Sequence, residues 1–101
     1  MTTISMAAIR QRHEVRHGKF FTPGNMRFFS SRLPSRGFLN LQETKAFFVT
    51  SERSGYDRPR LFSVRCMNMD TGHIDTVGDF HSFTTGVEAN RVARRLAQET
   101  P

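Results

Sequence analysis

The chain has 101 residues, 37% apolar and 24% charged, and its 15 bases against nine acids leave a net charge of +6. That length holds one modest core, and ten phenylalanines supply enough large apolar units to argue against disorder throughout. A single cysteine excludes an internal disulfide and fits a reducing compartment, and no apolar run reaches the ~18–20 residues that a bilayer span needs.

In chain order, Met1–Arg12 lacks the apolar stretch of a secretory signal. Thr2 or Thr3 is placed to cap a short helix from Ile4 to His17, with Ile4, Ala7, Ala8 and Val15 as a weak apolar stripe and Gly18 as its end. Pro23-Gly24, Pro34 and Gly37 punctuate the next stretch, which leaves room for one short strand, Met26–Arg32. Residues 1–25 therefore read as a partly ordered basic helix or arm, and 26–101 as a single domain.

The later elements are more sharply marked. Ala46–Glu52 alternates, with Phe47 and Val49 on one face and Phe48 and Thr50 on the other. Leu61–Met67 does the same, setting Phe62, Val64 and Cys66 against Ser63 and Arg65. Asp70-Thr71-Gly72 is a hairpin turn whose glycine supplies a positive φ. His73–Phe83 is the next strand, and the changed parity of Ile74 and Val77 predicts a bulge or a break at Gly78. Thr85 and Glu88 have capping-box spacing, and Ala89, Val92, Ala93, Leu96 and Ala97 then form one apolar helix face. The expected fold is α+β: a three- to four-stranded antiparallel sheet, a C-terminal helix packed on one face, and the other face open and half-polar.

Two strings resemble catalytic motifs. His13-Glu14-Val15-Arg16-His17 fits the H-E-x-x-H pattern that puts two zinc-binding histidines on one helix face. Arg16 beside a dication opposes that reading, and no third ligand follows at a suitable spacing, so a solvated basic face explains the string better. Asp70-Thr71-Gly72 matches the triplet of retroviral-type aspartic proteases for three residues only, and the hairpin accounts for all of them. Cys66 lies on an apolar strand face as a small core residue. The expectation is no enzyme, no metal and no cofactor.

The charge is what remains. Arg10, Arg12, Arg16, Lys19, Arg27, Arg32 and Arg36 against Glu14 give the 10–36 stretch the whole +6. Such a cluster repels itself unless an anionic partner offsets it. Arg27-Phe28-Phe29-Ser30-Ser31-Arg32 interleaves phosphate-binding and base-stacking groups, so Lys19, Arg27, Phe28, Arg32, Arg36 and Arg65 are the candidate contacts.

Leu61–Ala97 resembles the second half of a double-stranded-RNA-binding domain, with Thr84-Thr85-Gly86-Val87-Glu88 where that family carries its lysine cluster. Its three strands and helix are also similar in order to the arm-binding domains of tyrosine integrases, which implies that the open sheet face, bearing Ser63 and Arg65, enters a groove. Phe47-Phe48-Val49-Thr50-Ser51-Glu52-Arg53, Thr71–Gly78 and Phe80 resemble a group of uncharacterised small proteins from phages of actinobacteria, over roughly residues 26 to 97. That likeness implies a phage accessory protein in the host cytoplasm. The expected function is nucleic-acid binding, with docking on an acidic host protein as the alternative and self-association through the sheet edge as a further route.

Overall fold

The computed structural model describes residues 2–25, 36–53, 57–79 and 82–101. Among them run β1 (Thr3–Ser5), α1 (Met6–Val15), β2 (Arg36–Leu39), β3 (Lys45–Glu52), β4 (Leu61–Asn68), β5 (Ile74–Val77) and α2 (Gly86–Glu99). The fold is α+β. Its strands form one antiparallel sheet in chain order, β1-β2-β3-β4-β5, so five strands stand where the sequence marks three or four. The two unforeseen strands are short, and Pro34 and Gly37 disguise β2. Met26–Arg32 lies outside the described residues.

The central pair fixes the geometry. β3 and β4 pair over their full length, Phe47 opposite Cys66, Val49 opposite Val64 and Phe48 opposite Arg65. Because alternate side chains point to opposite faces, this register sorts the residues into two sets, as their alternation predicts. One set faces α2: Phe38, Phe47, Val49 and Val64 are buried against Ala89, Ala93 and Ala97, each alanine at most 2% exposed. Small residues at i, i+4 and i+8 let the helix axis approach the sheet closely. Thr85 caps α2 by accepting the Glu88 N–H at 3.2 Å, as the capping-box spacing predicts.

The other face is covered, not open. Met6, Ile9 and Phe21 pack on Leu39, Ala46, Phe48 and Met67. The 2–25 stretch thus contributes one strand and three core side chains to the same unit. α1 starts later than its sequence suggests, since Thr3–Ser5 are extended in β1 and Ser5 is the cap, accepting the Ala8 N–H at 3.1 Å. The buried stripe is Met6, Ile9 and His13, while Val15 is 66% exposed. Gly37 permits this packing: a Cβ there would lie 2.9 Å from Ile9 Cδ1 and 2.8 Å from the Phe47 carbonyl oxygen.

Gly72 and Gly78 both have positive φ, 74° and 72°, and β5 stops at Val77 before the second of them. Pairing with β4 resumes at Phe83, which exchanges backbone hydrogen bonds with Phe62. No helix among the described residues is long and apolar enough to cross a membrane.

Candidate basic surface and buried polar network

Arg65 is the candidate contact whose position departs most from expectation. β4 points it to the α1 side, where it is 8% exposed and cannot lie on an open sheet face. Its Nη2 donates to Glu52 Oε1 at 2.8 Å, its Nε donates to Thr50 Oγ1 at 2.9 Å, and its Nη1 donates to Thr76 Oγ1. Thr50 in turn donates to Glu52 Oε1 at 2.8 Å. The Phe20 ring covers the guanidinium, 5.3 Å from its centroid. Register explains the set: Phe48, Arg65 and Thr76 are cross-strand neighbours, and Thr50 and Glu52 follow Phe48 on the same face of β3. A planar fork that meets three oxygens and one ring is an internal brace.

The zinc-like string resolves in a similar way. His13 is 6% exposed, and both ring nitrogens bond to backbone. Nε2 receives the Phe20 N–H at 2.9 Å, so Nδ1 carries the proton and donates to the Gly72 carbonyl. Both His13 ring nitrogens are thus engaged by backbone, and His17 lies past the end of α1 at a positive φ of 64°. His17, not Gly18, is the left-handed residue that ends α1, and Gly18 N–H closes on the His13 carbonyl at 3.0 Å in a Schellman-type turn. Gly18 answers a different need. A Cβ on it would lie 2.2 Å from His13 Cε1 and Nε2, so the ring occupies the space that any side chain would take. No group of three or more metal-ligating side chains occurs among the described residues.

Phe20 and Phe21 belong to this assembly. Their rings meet edge to face at 5.0 Å, and both lie 6.3 Å from Phe48. Arg10 sits 5.6 Å from the Phe21 centroid. The first phenylalanine pair of the basic stretch is therefore used in packing.

Lys19 and Arg36 are exposed. Among the described residues neither has an ion-pair partner, and the same holds for Arg12 and Arg16. Lys19 follows the end of α1, and Arg36 opens β2 opposite Ser5. Arg27, Phe28 and Arg32 lie between them in sequence and outside the described residues. Cys66 is half-buried on the α2 side, and desolvation pushes its thiol pKa above the ordinary value, Asp75 adding to the rise and Lys45 opposing it. A thiol held protonated in this way is a poor nucleophile.

Sequence reasoning missed the internal roles of Arg65, Phe20 and His13. The signal for Arg65 was present in its alternation with Val64 and Met67 in a strand paired to Thr50 and Glu52. For His13 it was the spacing to Met6 and Ile9.

A family model for a family of unknown function, DUF7447, matches residues 5–94. The chain belongs to that family. The matched stretch runs from the Ser5 cap to within a turn and a half of the end of α2, so it takes in α1, strands β2 to β5 and the first nine residues of α2. No curated protein and no solved structure matches the chain.

Proposed function

We propose that this DUF7447 member is a small non-enzymatic nucleic-acid-binding protein that holds the phosphate backbone with Lys19, Arg27, Arg32 and Arg36 of its basic 10–36 stretch. The observation that carries this reading is charge without internal use. The stretch has a net +6, and Lys19 and Arg36, the candidate contacts described within it, are exposed and have no ion-pair partner among the described residues. Arg65 leaves the proposed surface because its charge is spent on Glu52. The surface that remains is Lys19, Arg27, Phe28, Arg32 and Arg36. The resemblance carried by Phe47–Arg53, Thr71–Gly78 and Phe80 supports an accessory role in a phage of actinobacteria, within the host cytoplasm.

Phosphate contacts make affinity fall steeply with salt. Four contacts imply roughly a hundredfold loss between 50 and 200 mM salt for a duplex, from a slope of about 0.9 per contact. A fluorescence-anisotropy titration of labelled duplex and single-stranded DNA and RNA measures this. The variant with Lys19, Arg27, Arg32 and Arg36 changed to Gln should lose most of both the affinity and the salt slope. A native protein that binds none of these at 50 mM, or a variant that binds as tightly, would overturn the reading.

A further inference from the structure

A surface helix usually turns its charged residues to solvent. α1 does not. At 100° per residue, Ala7, Ala8, Gln11 and Val15 lie opposite the buried Met6, Ile9 and His13, so its outermost ridge is uncharged. Val15, 66% exposed, is the largest apolar group on it. Beside the ridge runs an open groove of about 340 Å³, lined by Ile4, Ala8, Gln11, Arg12, Val15 and Met69. This ridge takes no part in the phosphate contacts proposed above.

The charges stand on its flanks. On one side Arg10 is occupied by Glu14 at 3.7 Å and by the Phe21 ring. On the other, Arg12 and Arg16 have no ion-pair partner among the described residues. The Arg16 stem is held in place by the hairpin, since a Cβ on Gly72 would come within 3.0 Å of Arg16 Cβ. The groove is thus mostly apolar along its floor, with Arg12 on its rim and Arg16 about one helical turn further on.

Charge complementarity selects the occupant. A second copy of the chain would bring together two faces that each carry Arg10, Arg12 and Arg16 against Glu14, or +2 facing +2. Nucleic acid would satisfy Arg12 and Arg16 but leave Val15 and the apolar floor without a partner. An amphipathic helix satisfies both when its apolar side chains lie along the groove and its carboxylates meet Arg12 and Arg16. We propose that the outer face of α1 is a docking surface for an acidic amphipathic helix of a partner protein.

The test uses the full, isotopically labelled chain and a synthetic 18-residue helical peptide with leucines on one face and glutamates on both flanks. Its control carries lysine in place of each glutamate. The acidic peptide should shift the amide signals of residues 7–16 and Met69, and the lysine peptide should not. Changing Ala8 and Val15 together to Gln should weaken binding at least tenfold, and Arg12→Gln about threefold. Both sites are on the exposed side of α1, so an unchanged spectrum elsewhere verifies that the variants fold. The Lys19 and Arg36 variants should leave peptide binding intact, which keeps this outcome separate from that of the nucleic-acid titration. Equal binding of both peptides, no binding at millimolar peptide, or an unaffected double variant would overturn the proposal. So would a concentration-dependent mass abolished by the double variant, which would assign the face to a second copy.

Discussion

The two faces of the sheet are built by different means. Against α2 the contact is almost wholly apolar, with three alanines seated on Phe38, Phe47, Val49 and Val64. Against α1 an apolar patch around Phe48 adjoins a polar one, where Arg65, Glu52, Thr50 and Thr76 are tied together and His13 joins three backbone segments. An apolar interface tolerates small errors of shape, since neighbours shift to refill space. A buried polar one does not, because a lost partner leaves a desolvated charge or dipole behind. The α1 side should therefore be the more fragile, although it holds fewer residues of regular structure.

The most severe test of that contrast is Arg65→Gln, which removes the charge partner of the Glu52 carboxylate, itself at 9% side-chain exposure. The expected loss is about 3–5 kcal/mol in urea unfolding, with much of it recovered when Glu52→Leu is combined with Arg65→Met. A cost below ~1 kcal/mol would show that the network is not a brace. Next comes the His13–Gly18 pair. Gly18→Ala forces the imidazole from its two backbone partners and should cost about 2 kcal/mol or more, comparable with His13→Ala. The double variant should cost much less than the sum, which a double-mutant cycle reads directly. Smallest is Thr85→Ala on the opposite face. It removes one exposed cap hydrogen bond at an expected ~1 kcal/mol, measured as a shift in thermal midpoint.

The same contrast governs what could be read from the amino acids. α2, β3 and β4 follow periodic rules, and their residues lie where period and cap place them. The hairpin turn at Gly72 and the interruption at Gly78 follow from glycine's freedom at positive φ. The α1 side was harder to read for a physical reason. β1 is three residues long and β2 four, too short for alternation to show. Arg65 looks like a solvent-facing residue in any pattern that scores polarity, since only its cross-strand neighbours make it internal. Of the candidate contacts, Lys19 and Arg36 stand exposed as a binding role requires, and Arg65 does not.

The placement of β1 has a consequence for the order of assembly. Ile4 pairs with Gly37, 33 positions along the chain, whereas Phe38 finds Phe47 after only nine. Closing the longer loop costs more entropy, and a three-residue strand gives back few hydrogen bonds once it is closed. The β2–β5 meander with α2 can collapse from nearer contacts, and β1 with α1 joins a sheet that already exists. Seen in time, β1 and the arginines of α1 are then the last of the described residues to be drawn in, after Arg36 has been fixed at the start of β2.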